Sequence, residues 1–354
     1  MTVKVLCSSK WKRSLHPFYR WRKQLKDSGL DISFYFDHND KRLREADNLL
    51  IYSKYYDEGW QSISKRTDQN ERELIEYLSE LKKSVGKLIW FDEAASSGSS
   101  DFSIIHFVDV FVKKQILKDS SYYTSAKEDA DLRIWLNLSA NRHITPFIKC
   151  PEDQAYKIRQ GWNTSCYDYR YIRNKLSPLS NYLSYKFYSP PFGAVDTQRK
   201  YDVTFRGTSV YESSPDIALQ RYKAMAVLDG LRLKISKGER VAKGEYLNEL
   251  RSAKISISPF GFGEICYRDF ETFIAGSVLI KPSLEHLTTF PNLFIANKTY
   301  IPVLWDLSDL QEKLENTVEK YHYFKEIARD GQDLFRRTLN SPEYFVEAVK
   351  RVIE

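Results

Sequence analysis

Long apolar runs are missing from this chain of 354 residues. No stretch of about 18 apolar residues occurs, so no helix is expected to span a membrane. The opening "MTVKVLCSSKWKR" has no apolar core of the signal-peptide kind. Cysteine is scarce: Cys7, Cys150, Cys166 and Cys266 stand far apart, with no CxxC and no Cys/His ligand spacing. That argues for reduced thiols in a cytoplasmic protein and against a disulfide framework or a zinc site. There is no HExxH, and the one Asp-Ala-Asp, in "DADLR" at 129 to 133, is not flanked by a strand. No essential metal and no cofactor are expected. Low-complexity segments and short repeats are absent too.

What is present is globular: 42% hydrophobic, 29% charged and 14% aromatic residues, enough apolar material for sizeable cores. The length exceeds what one core usually serves, so two domains are expected. Lys and Arg outnumber Asp and Glu by 54 to 47, a net charge of +7. A mild basic excess suits an anionic partner without choosing among phosphate ligands, nucleic acid and acidic lipid.

The first 100 residues alternate strands and helices. "VKVLC", "DISFYFD", "NLLIYS" and "KLIWFD" read as strands, and "DVFVKKQIL" as a further short one. Between them, Pro17 opens a helix with Phe18, Trp21 and Leu25 on one face, Gly29 stops it, and "NERELIEYLSELKKS" forms another. Alternation of this kind predicts a parallel sheet covered on both faces. From about 120 to 200 the chain is irregular and tyrosine-rich, with Pro178, Pro190 and Pro191, as in a domain crossing. The rhythm resumes with "YDVTFRG", then a helix with Ser214 as its cap and Pro215 in its first turn. "LRLKISKG" reads as a strand, "KGEYLNELRSA" as a helix, and the chain ends in helices.

"KISISPFGFGEICYRDFETFIAGSVLIKP" packs strand, glycine loop, helix and strand into one unit. In an open parallel sheet such a loop lines the ligand crevice, and the following helix offers unpaired N–H groups to phosphate. Gly261 and Gly263 let the backbone approach closely. Glu264, Arg268 and Glu271 recur at i, i+4, i+7 and share a helix face. Tyr267, Phe270 and Ile274 share the adjacent one and are expected on the sheet. The plainer alternative is a surface ion pair on an ordinary α/β helix.

This segment resembles the donor-site signature of GT-B glycosyltransferases, in which a GFG turn is followed by a glutamate on the next helix. Gly261, Phe262 and Gly263 match the turn, and Glu271 matches the glutamate. The family's other glutamate stands before the turn, where this chain has Phe260; the additional acid here is Glu264. The run through Lys281, His286 and "TTFPNLFIANKTYIPVLWDLSDL" also resembles bacterial glycosyltransferases of surface polysaccharides: lipopolysaccharide, O-antigen and capsule. The resemblance implies a GT-B-like α/β fold of two Rossmann-like parallel-sheet domains facing a cleft. Residues 1–190 would bind acceptor, 195–320 would bind the nucleotide-sugar donor, and helices in 321–354 would pack back across both. The implied activity is transfer of a sugar from a nucleotide-sugar to a hydroxyl of a surface or lipid-linked glycan. The enzyme would be cytoplasmic, with peripheral attachment to the inner face of the membrane left open.

Candidate donor contacts are Arg206, Gly207, Thr208, Gly261, Gly263, Glu264, Arg268, Glu271 and Lys281. Asp92, at the end of "KLIWFD", is the preferred catalytic acid or base, Glu93 the second choice and His106 the alternative base. The plainer readings are a turn-starting Asp for Asp92 and a core residue for His106. "KWKRSLHPFYRWRKQLK" holds seven Lys or Arg and no acid. Its Lys10, Lys12 and Arg13 are candidates for contact with acceptor or anionic membrane. Two rival functions remain: a non-catalytic GT-B scaffold, and a basic protein binding nucleic acid or anionic lipid. No nucleic-acid motif appears, and no nucleic-acid partner is expected.

Overall fold

The computed structural model describes all residues except 57–65, 99–101, 126–132, 139–147, 171–179 and 209–214. The Asp-Ala-Asp at 129–131, Pro178 and the Ser214 cap lie outside the described residues.

Two parallel sheets organise the chain. The first contains β1 (Thr2–Leu6), β2 (Asp31–Tyr35), β3 (Asn48–Tyr52), β4 (Lys87–Asp92), β5 (Val110–Lys113) and, beyond a short β6 (Gln115–Leu117), β7 (Ile158–Gln160). Its order is β2-β1-β3-β4-β5-β7. The second contains β8 (Tyr201–Arg206), β9 (Ile235–Gly238), β10 (Ala253–Ile257), β11 (Val278–Pro282) and, after β12 (Leu287–Thr289), β13 (Ile301–Val303). Its order is β13-β11-β10-β8-β9. "DVFVKKQIL" is thus two strands, broken at Lys114. β6 leaves the first sheet to pair antiparallel with β12, so a two-stranded ribbon ties the halves together.

Helices cover the sheets: α1 (His16–Arg20), α2 (Arg22–Asp27), α3 (Asp68–Lys82) and α4 (Tyr122–Ser125) in the first half. The second half has α5 (Pro215–Gly230), α6 (Lys243–Ser252), α7 (Tyr267–Ala275), α8 (Leu310–Glu319), α9 (Tyr321–Asn340) and α10 (Pro342–Ile353). This is the GT-B-like α/β architecture, with a helical C-terminal tail. The helix expected after Pro17 is interrupted at Trp21, whose φ/ψ of −104°/20° leaves the α region. Gly29 takes φ +88° just beyond α2, the left-handed stop that glycine supplies without strain.

Strand alternation sorts the core. Val3, Val5, Leu50, Ile89 and Val112 face Leu15, Phe18 of α1, and Phe345, Val349 and Val352 of α10. Leu49, Ile51, Leu88 and Trp90 face Leu74, Leu78 and Leu81 of α3. That second cluster runs on into Phe270 and Phe273 of α7 and Phe335 of α9, so the halves share one continuous apolar core. On the far face of the second sheet, Val203, Phe205, Ile255, Ile257, Val278 and Ile280 meet α5 and α8. In the irregular crossing, Arg170 grips Asp168 through Nε and Nη2 at 2.9 and 3.1 Å and donates to Ser180 O and Leu183 O.

Candidate functional site

The carboxyl ends of both sheets open onto one cleft of about 500 Å³. Lys12, Arg13 and Ser14 reach it from the loop after β1, Lys54 from beyond β3, Glu93 and Ala95 from beyond β4, and Lys114 from beyond β5. The opposite wall is Arg221 of α5, the glycine loop at Gly261, Phe262 and Gly263, and Cys266 and Tyr267 at the start of α7. This is where parallel sheets place their ligand crevices, because strand ends splay there into loops. Among the described residues, five of the lining side chains are cations and one is an acid.

That acid is Glu93. Its backbone N–H donates to Ser53 Oγ at 2.9 Å, which fixes the residue just past the end of β4. The side chain is buried, and Oε2 has no hydrogen-bond partner among the described residues. Burial pushes its pKa above the ordinary carboxylate value, opposed by the nearby charges of Lys114, Lys54 and Lys12. Lys114 responds in the opposite sense: desolvation lowers it to about 8, with Lys54 adding to the fall and Glu93 opposing it. Across the cleft the Arg13 guanidinium lies 5.5 Å from the centre of the Tyr267 ring.

Asp92, the preferred catalytic residue on sequence grounds, is elsewhere. It is 4% exposed and ion-paired to Lys113 Nζ at 2.8 Å, its register partner on β5, while Oδ1 accepts the Ala94 N–H at 2.9 Å. A carboxylate held this way satisfies a buried lysine and does not line the cleft. His106 stands exposed beside α3, and its carbonyl accepts from Lys82 and Lys157. It is neither a core histidine nor a neighbour of the cleft.

The glycine-loop acids are also structural. Glu264, 1% exposed, reaches across to the loop after β4 and accepts from Ser96 Oγ (2.6 Å), Ser97 Oγ (2.7 Å) and Ser97 N (3.1 Å). Gly263 is required for that crossing: a Cβ there would sit 2.0 Å from the Ala95 carbonyl oxygen. Lys281, fully buried, donates to Asp269 Oδ2 at 2.6 Å and to Glu264 O at 2.7 Å. Asp269 in turn caps α7 through the Cys266 N–H. Lys281 therefore anchors the loop and does not point into the crevice.

Arg206 forms a two-pronged ion pair with Glu249 at 2.9 and 2.6 Å, so its guanidinium is committed within the second half. Gly207 N donates to Gly238 O at 3.0 Å, and Thr208 O accepts from Arg221 at 3.5 Å. Arg268 turns to the Arg206 and Ile257 carbonyls, and Glu271 is ion-paired with Lys243 of α6. The Tyr246 hydroxyl links those last two. Arg268 and Glu271 thus share a polar cluster beside the cleft without lining it. Lys10 sits over the exposed Trp11 ring, outside the cleft.

Of the sequence candidates, Lys12, Arg13, Glu93, Gly261 and Gly263 meet in the cleft. Lys54, Lys114 and Arg221 line it as well without any motif around them, and Tyr267 lines the cleft although the helix pattern places it on the sheet. Lys54 and Lys114 each follow the end of a parallel strand, the one signal that would have marked them.

No protein-family model matches the chain, and no curated protein matches it. Among solved structures, it is similar to the β-glucosyltransferase of phage T4 at 9% identity and a TM-score of 0.48, covering 100% of both chains. It is also similar to an α-glucosyltransferase in complex with UDP, at 10% identity and 0.45, covering 100% of this chain and 99% of that one. HepE of Anabaena, in complex with UDP and glucose, matches at 8% and 0.43, covering 99% and 98%. Likeness this distant leaves the cleft itself to carry the functional reading.

Proposed function

We propose that the protein is a glycosyltransferase that moves a sugar from a nucleotide-sugar donor to an acceptor hydroxyl in the cleft between its two sheets. The observation that carries the reading is the meeting, among the described residues of one cleft, of five cations with one desolvated carboxylate whose Oε2 has no hydrogen-bond partner there. The glycine loop and its resemblance to donor-site turns support the assignment of the second half to the nucleotide.

The chemistry follows from those groups. The acceptor oxygen bonds to the anomeric carbon as the bond from that carbon to the donor phosphate breaks. Glu93 takes the acceptor's proton. Desolvation suits it to that work, because a raised pKa makes a carboxylate a stronger base. The departing nucleoside diphosphate gains negative charge, which Arg221, the glycine loop and the start of α7 neutralise. On this reading the protein's own groups, without a metal ion, meet the leaving group. The acceptor is a surface or lipid-linked glycan, met in the cytoplasm. Among the described residues no helix is long and apolar enough to cross a membrane, and Lys10 with Trp11 offers a contact to an anionic surface.

The test is a thermal-shift panel of UDP, GDP, CMP and dTDP with their sugars. A ligand at 100 times its Kd adds about 2.7 kcal/mol of apparent stability. One nucleotide family is expected to stabilise both wild type and Glu93→Gln, and hydrolysis or transfer of its sugar is expected from wild type alone. If no nucleotide stabilises the wild type, the reading fails.

A further inference from the structure

The cations of the cleft are unevenly shared. Among the described residues Arg221 alone belongs to the second half, whereas Lys12, Arg13, Lys54 and Lys114 all come from the strand ends of the first. On the reading above, the donor diphosphate leans on the second half, where Arg221, the glycine loop and α7 stand. The charge on the first half then exceeds what the donor needs. One carboxylate, Glu93, faces three ammonium groups within electrostatic range. Concentrating like charge in a concave site is unfavourable until an anion fills it, and the same field draws that anion in. The Oε2 of Glu93 meets none of these ammonium groups in a hydrogen bond among the described residues.

We propose that the first half of the cleft binds a phosphate group carried by the acceptor. Lys12, Lys54 and Lys114 hold it, and Glu93 faces the hydroxyl beside it. This inference rests on the glycosyltransferase reading and names its acceptor class: a phosphorylated sugar or phosphate-linked glycan. A cavity of about 500 Å³ fits a compact phosphorylated group; a nucleic-acid backbone calls for a long basic surface. Three ammonium groups from three different strand ends also suit a phosphate, whose oxygens project in several directions.

The test is calorimetric titration of the full chain with glucose 6-phosphate, inorganic phosphate and, as the neutral control, glucose. Each is run alone and with the donor side saturated by the nucleoside diphosphate that stabilises the protein. With nucleotide bound, glucose 6-phosphate is expected to bind at least tenfold more tightly than glucose. Lys54→Gln and Lys114→Gln are each expected to weaken it about tenfold while leaving the nucleotide Kd within twofold. Vesicles carrying a prenyl diphosphate-linked sugar separate a lipid-linked source from a soluble one: stronger binding to them assigns the phosphate to a lipid carrier. If saturating nucleotide abolishes phosphate binding, or the lysine variants weaken nucleotide and sugar phosphate alike, the cations serve the donor and the inference is overturned. Tight binding of a DNA oligonucleotide with none of glucose 6-phosphate overturns it as well. If no nucleotide binds but phosphate binds through these lysines, the transferase reading fails while the anion site stands.

Discussion

Glu93 and Lys114 set each other's charge, and both act on the cleft. Glu93 works as a base only when deprotonated, and burial raises its pKa. Activity is therefore expected to climb with pH through that raised value. Lys114 faces Glu93, Lys54, Asp92 and Lys113 and titrates near 8, so binding of an anion is expected to weaken above about pH 8. A pH series should give a bell, with its alkaline limb flattened by Lys114→Gln. Glu93→Gln should lower turnover by about 10²- to 10⁴-fold with nucleotide binding retained, measured by steady-state kinetics beside titration. His16 makes the residue-scale prediction for stability. It is 2% exposed, 2.9 Å from Asn181 Oδ1 and 3.2 Å from the Tyr185 hydroxyl, and burial lowers its pKa to about 4. The unfolded chain protonates near 6.5 and the folded chain does not, so the unfolded state binds more protons between those values. Stability is then expected to fall as pH drops from about 6.5 to 4, by on the order of 1 kcal/mol per pH unit. Denaturant titrations of wild type and His16→Gln at both pH values read it.

The glycine loop is legible as an element and misleading in its residues. Helical spacing points Glu264 and Arg268 at a ligand, and the strand end points Lys281 there. The fold uses all three to fasten the loop: to Ser96 and Ser97, to the carbonyls of Ile257 and Arg206, and to Asp269. What the element contributes to the cleft is backbone, Gly261 to Gly263, together with the opening of α7. Gly263→Ala tests this. Its Cβ would meet backbone, which cannot swing aside, so at least about 1–3 kcal/mol of stability should be lost and the loop after β4 pushed back. A chemical denaturation curve gives the first number, and a weaker nucleotide Kd reports the second.

At the scale of the whole molecule the two halves are one body. The β6–β12 ribbon, the Glu264 crossing and the α9 aromatic Phe335 each bridge them. The last helix, α10, returns to the first sheet, where Phe345 stands edge-on to Phe18 at 4.9 Å and to Trp162 at 5.1 Å. The C-terminal segment therefore completes the N-terminal core. Phe345→Ala should cost about 3–5 kcal/mol, read as an earlier urea midpoint. If α10 were only a surface strap, the midpoint would barely move.

The sequence by itself determined the parallel α/β layout, the strands that carry it, the glycine stop at Gly29 and the helical tail. Those depend on local periodicity and on residues with few conformational choices. Only the tertiary structure decided which acid faces the cleft. Asp92 and Glu93 are chain neighbours, but successive residues at a strand end turn to opposite sides. The register of β4 against β5 gave Asp92 to Lys113 and left Glu93 among Lys12, Lys54 and Lys114. Register is set by packing between segments far apart in the chain, and no spacing along the sequence records it.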